Sequence, residues 1–179
     1  MQALAPTAVV RSRSARALGA TMVALAALGL GSAAVAGVDA LLTYAAPLAL
    51  FGLLGWAAFW RARVEVSDGG VRVVDTLRTV DVPWPAVEGV EGRYGLRLLT
   101  AYGPVQAWAA PAPTGRRRAR EEAGPAAVLV GRRLDDLRAA GHLADARLER
   151  PDLRRTWHTG TVAAVAALGV ATVVLPLLA

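Results

Sequence analysis

The sequence contains no cysteine and no lysine, and its only histidines are His142 and His158. Without cysteine, disulfides, thiolate nucleophiles and cysteine-ligated metals are excluded. Neither histidine stands beside a carboxylate pattern resembling a zinc motif, so no metal site is expected. There is no Ser-His-Asp order, no phosphate-binding loop and no glycine-rich dinucleotide motif. Asp135-Asp136 lies beside Arg132 and Arg133, as a solvated helix face would, rather than as a carboxylate pair for acid–base work. No catalytic residue and no cofactor is expected, and the chain reads as non-enzymatic.

Charge is missing from three long stretches, residues 17–38, 40–60 and 159–179. Each is about 20 residues long, which at 1.5 Å per residue crosses a hydrocarbon core of ~30 Å. They are apolar all round, whereas a helix on a soluble domain would carry a stripe. Three transmembrane helices are therefore expected. No ionisable residue lies deep in any of them, which argues against an ion or proton path. Small residues recur every four positions at Gly29, Ala33 and Gly37 and at Ala163, Ala167 and Ala171, a spacing that lets helices approach closely.

All 20 basic residues are arginine, and the net charge is +6. In a soluble chain that excess would suggest nucleic acid, but here the arginines flank the apolar stretches. Arg11, Arg13 and Arg16 precede the first, Arg61 and Arg63 follow the second, and Arg154 and Arg155 precede the third, while the connection at Asp39 has no positive charge. The positive-inside rule then places residues 1–16 and 61–156 in the cytoplasm of a multi-pass inner (plasma) membrane protein, with Asp39 and Ala179 outside. Nucleic acid is not an expected partner. A cleaved signal peptide ending near Ala34-Val35-Ala36 is the competing reading of the start, but the apolar stretch is long for one and a second follows almost at once.

After Arg63 the period changes to two. Val64 and Val66 alternate with polar residues up to Asp68-Gly69-Gly70, a strong hairpin signal, and Val71 and Val73 continue on the return strand. Val80, Val82 and Trp84 alternate next, followed by Val87 to Glu91, Leu96 to Leu98 and Val105 to Ala109. About six short strands at this spacing predict an antiparallel sheet curled into a barrel or sandwich. Gly124-Pro125 then opens a helix whose apolar face is Ala127, Val130, Leu134 and Leu137, with Gly141 closing it. The fold class is membrane α-helical plus an α+β cytoplasmic domain over 61–141, with 142–156 a juxtamembrane linker. The helix covers an open end of a small core.

Strands followed by one capping helix, placed after a two-helix hairpin, resemble the bacterial pleckstrin-homology (PH) domain proteins, and within them the membrane family named for low-molecular-weight protein antigen six. The likeness is carried by Arg63-Val64-Glu65-Val66, Gly69-Gly70-Val71-Arg72-Val73, Val82-Pro83-Trp84-Pro85-Ala86-Val87 and Val105-Gln106-Ala107-Trp108-Ala109, and it covers about residues 45–140. It implies a PH-like antiparallel barrel or sandwich that binds rather than catalyses. Phosphoinositide recognition in that superfamily relies on basic residues around the first hairpin loop. Here that loop is the acidic Ser67-Asp68-Gly69-Gly70, so that activity is not implied.

Trp84 shares a face with Val80 and Val82 and is expected in the core. Trp108 and Gln106 fall on the face opposite Val105 and Ala107, and form the better candidate surface. Arg116, Arg117, Arg118 and Arg120 make the densest positive cluster, suited to a nonspecific contact with anionic lipid, although Glu121 and Glu122 offset part of its field. The expected function is a membrane-anchored module that binds a protein or peptide partner. The alternative is an accessory subunit of a transporter or envelope enzyme, recognised through its helices. Reporter fusions at Gly115 and after Ala179 should give signals from opposite sides of the membrane, and a periplasmic or extracellular signal from Gly115 would overturn this topology.

Overall fold

A computed structural model of the chain describes residues 8–93, 95–108, 110, 123–143 and 152–178. It divides into two compact units, one formed by residues 1–12 with 62–156 and the other by 13–61 with 157–179. The second unit consists of the apolar helices α1 (Arg13–Ala36), α2 (Val38–Gly55, continued by a π-turn over Trp56–Trp60) and a last helix, Thr159–Leu178. All three are long and apolar enough to cross a membrane.

Only Gly37 separates α1 from α2, and its φ of 118° is a left-handed value that side chains with a Cβ disfavour. Asp39 falls in the first turn of α2, where its charge suits the positive helix end. The two helices meet along Gly19, Met22, Ala26 and Gly29, spaced three and four apart as in knobs-into-holes packing. A Cβ on Gly55 would stand 2.6 Å from the Met22 Cβ, and one on Gly52 3.0 Å from the Ala26 Cβ, so the backbones approach where side chains are smallest. The expected four-residue row is thus only partly the seam. Gly29 and buried Ala33 lie on the packed side, but Gly37 is the turn. The last helix packs against α2, and Ala163 and Ala167 of its small-residue row face outward.

The other unit contains two antiparallel sheets and a helix. The period-two segments form β2 (Arg63–Ser67), β3 (Gly70–Val74), β4 (Arg78–Pro83), β5 (Val87–Glu91), β6 (Leu96–Thr100) and β7 (Val105–Ala107). Two further short strands join them. Residues 8–10, expected as part of an arm, form β1 (Ala8–Val10), which pairs with β2, Val9 opposite Glu65. Residues 154–157, placed mostly in the linker, form β8 (Arg154–Trp157) beside β4. The first sheet runs β1-β2-β3-β4-β8 and the second β5-β6-β7. Pro125–Ala139 is α3, as the Gly-Pro start and Gly141 stop predicted, so the last apolar helix is α4.

The core is a single cluster. Val64, Val66, Val71, Val73, Val80 and Val82 enter it from the first sheet, Val87, Leu96, Leu98, Val105 and Ala107 from the second, and Ala126, Ala127, Val130 and Leu134 from α3. Val64, Val73, Leu98 and Val130 are completely buried. Burying such a side chain contributes about 1.5–3 kcal/mol.

A closed barrel, one of the two expected forms, does not occur: β4 and β5 belong to different sheets. Pro83 ends β4, and Pro83 and Pro85 both lack an N–H, so the ladder cannot continue through Trp84–Ala86, which instead coils as a short 3₁₀ turn. At that corner Trp84 is 3% exposed, and its Nε1 donates to the Ser67 carbonyl at 2.9 Å. Trp84→Ala should therefore cost ~3–5 kcal/mol in thermal unfolding of the detergent-purified chain, the range for removing a large buried aromatic. Trp84→Phe should cost less, because it keeps most of the packing. A Trp84→Ala chain that melts like wild type would show that the corner does not hold the sheets.

Candidate functional site

The geometry of α3 creates a concavity in this unit. The helix buries Ala126, Ala127, Val130 and Leu134, and so turns the neighbouring stripe of Pro125, Val128, Leu129, Arg132 and Asp136 sideways. Together with Val66 and Ser67 at the end of β2 and Ala8 of β1, this stripe lines a groove of about 790 Å³. The floor and most of the walls are apolar, and the charged residues stand towards the C-terminal half of the helix. An apolar concavity with a few placed polar groups is the usual form of a recognition site.

Three contacts set the width of the groove. The start of α3 is drawn onto the second sheet at Gly92, where an added Cβ would meet the Ala123 and Ala127 Cβ atoms at 2.6 and 2.7 Å. Arg133 reaches across to Asp68 of the β2–β3 hairpin, Nη2 donating to Oδ1 at 2.6 Å. Near the helix end, Arg138 donates to the Glu88 carbonyl at 2.8 Å. Asp68 is largely exposed, so its ion pair contributes little energy and acts mainly as a positional tie.

The acidic hairpin therefore has a specific role, to receive a helix arginine. The expectation that Arg133 shares a solvated face with Asp135 and Asp136 holds only in part: both acids are exposed, but Arg133 pairs across the groove. No contiguous motif announces that pairing, since 65 residues separate its partners. The groove itself has a faint signal in exposed Val128, an apolar position that widens the helix stripe beyond what the core uses.

The outer face of the first sheet carries paired charges. There Arg63 bonds Glu65, Arg72 lies 3.8 Å from Glu65, and Arg72 also bonds Asp81 on the next strand. The hydrogen bond to Asp81 raises the Arg72 pKa above its ordinary value, against a smaller opposing effect of burial. These charges satisfy one another across the strands.

Of the residues singled out from the sequence, Trp108 is 61% exposed and Gln106 is exposed beside it, both on the outer side of β7. The Trp108 backbone N–H donates to the Asp75 carboxylate at 2.9 Å, which fixes the end of β7 against the β3–β4 turn. This patch shares no residue with the groove. The groove reaches the Ser67 end of the β2–β3 hairpin, whereas Asp75 follows the far end of β3. Arg116, Arg117, Arg118 and Arg120 lie outside the described residues. Among the described residues no group of three or more His, Asp or Glu is placed to hold a metal ion.

A family model described as a bacterial PH domain matches residues 61–171. No curated protein and no solved structure gives a significant match. The matched range takes in both sheets from β2 onward, α3, β8 and the first part of α4. With more than half of the chain covered, and two antiparallel sheets followed by a capping helix inside the match, the chain belongs to the bacterial PH domain family.

Proposed function

We propose that this chain is a non-enzymatic interaction module, held at the inner leaflet by three transmembrane helices, whose PH-like domain binds a protein or peptide partner in the groove between α3 and β2. The observation that carries this reading is the groove's composition: Val66, Val128, Leu129 and Pro125 offer apolar contact, with Arg132 and Asp136 at one end to orient a polar segment. A weak site suffices for a domain held on a membrane, because tethering raises its effective concentration towards other membrane proteins. Trp108 and Gln106 form a second contact surface, and the arginines 116, 117, 118 and 120 add a nonspecific attraction to anionic lipid. The finer likeness, to the antigen six family, rests on Val82-Pro83-Trp84 and agrees with a binding role.

The second reading, an accessory subunit recognised through its helices, is favoured by one observation. Val162, Val170, Val173, Val174 and Leu177 of α4 are exposed within the chain. Lipid or a neighbouring helix covers such a face equally well.

The two readings separate in the full-length chain purified from its own membranes with whatever protein accompanies it. Leu129→Glu places a charge in the groove, and Val170→Trp with Val174→Trp reshapes the exposed face of α4. The expected outcome is loss of the partner with Leu129→Glu and retention with the α4 pair. The opposite pattern would establish the accessory-subunit reading instead.

A further inference from the structure

The helical unit contains a polar cluster that neither the PH-like domain nor membrane insertion requires in this form. Arg16, in the first turns of α1, lies with its guanidinium carbon 4.7 Å from the ring centroid of Trp60. Arg61 lies 5.7 Å from the ring of Trp56. The π-turn explains the second contact: its bond from the Arg61 N–H to the Trp56 carbonyl, 3.0 Å, brings residue 61 back over residue 56, where an α-helix would carry it round to another side. Arg61 also donates to the Thr161 hydroxyl of α4 at 3.1 Å. The start of α1, the end of α2 and the start of α4 are thereby joined through two arginines stacked on two tryptophans.

Arg16 brings to this cluster a donor that no described group satisfies. The Arg16 Nε is buried and has no hydrogen-bond partner, and Arg16 forms no ion pair among the described residues. Asp39 sits in the first turn of α2, at the opposite end of that helix from Trp56 and Trp60. Arg13 and Arg16 moreover start α1, with no acidic residue in its first turn, so their charges oppose the positive end of the helix dipole. A buried donor without an acceptor and cations set against a dipole are both costly, and one anion relieves both.

We propose that Arg16 and Arg61, each backed by its tryptophan and with Arg13 beside them, bind the phosphate of an anionic phospholipid headgroup. Guanidinium groups match phosphate oxygens with paired donors, and stacking on indole holds each one flat without consuming its N–H groups. Trp56 and Trp60 are each about two-fifths exposed, so acyl chains can lie against their outer faces, as tryptophan at a membrane interface permits. The helices on which the site is built are apolar along their length, which favours a phosphate carrying tails over a free one. The site is assembled from three helices and is specific for a phosphate at one place.

Native mass spectrometry of the full chain released from nanodiscs tests it. Wild type in mixed phosphatidylglycerol and phosphatidylcholine should retain phosphatidylglycerol preferentially. Arg16→Gln with Arg61→Gln should lower that retention by about tenfold or more, as the loss of a charge-assisted hydrogen bond implies. Arg132→Gln with Asp136→Asn, in the groove, should leave it unchanged. Wild type that retains both lipids equally, or a double variant that retains phosphatidylglycerol as wild type does, would overturn the proposal. Displacement of the lipid by millimolar inorganic phosphate would show that the site takes a soluble phosphate, and would overturn the lipid assignment.

Discussion

The hydrogen bond from the Trp84 indole to the Ser67 carbonyl is the contact on which the domain's shape depends. The chain passes from one sheet to the other at Pro83–Ala86, where two prolines deny it a ladder, and the buried indole fills the corner they leave. Its single donor satisfies a carbonyl at the end of β2. That carbonyl belongs to the β2–β3 hairpin, whose tip receives Arg133 from α3. A core residue thus holds one wall of the groove, and the hairpin carries the tie that holds the other. Burial, corner and groove are consequences of one side chain having both a large apolar ring and one polar atom.

The helix α3 serves two surfaces at once. Ala127, with Ala123 just before the helix, packs where the backbone must come close, at Gly92, and Ala126, Val130 and Leu134 complete the core. Because those four positions use one side of the helix, Val128, Leu129, Arg132 and Asp136 are left along its flank. The groove thus runs along the flank of the helix, with Leu129 shared between it and the edge of the core. In the helical unit a similar economy appears: glycines in the α1–α2 seam receive Met22, Leu48 and Phe59, and the tryptophans stand at the end of α2, where the arginines stack on them.

Much of this was legible from the residues. Uncharged runs mark the three helices to within a few positions, since charge is what a hydrocarbon interior excludes. Alternating valines mark β2, β3 and β4, and the Gly-Pro start and Gly141 bracket α3. Parity also separated buried Ala107 from exposed Trp108. What escaped depends on partners far apart in sequence. Strand β1 has three residues and β8 four, too short to show a period, and Arg154-Arg155 reads first as charge flanking a membrane helix. The α1–α2 seam follows the facing helix's glycines rather than the row of four. The Arg133–Asp68 tie, and with it the groove, follows from how α3 is docked, which no local pattern encodes.

The central claim is that the groove of a PH-like domain, and not the apolar helices, is where this protein meets its partner. Hydrogen exchange of the full chain in lipid nanodiscs, with and without the protein that accompanies it from the membrane, tests this most directly. Added protection is expected in 64–68 and 123–136, the segments that line the groove, with 159–178 unchanged. Protection confined to 159–178, with no change at 123–136, would contradict it.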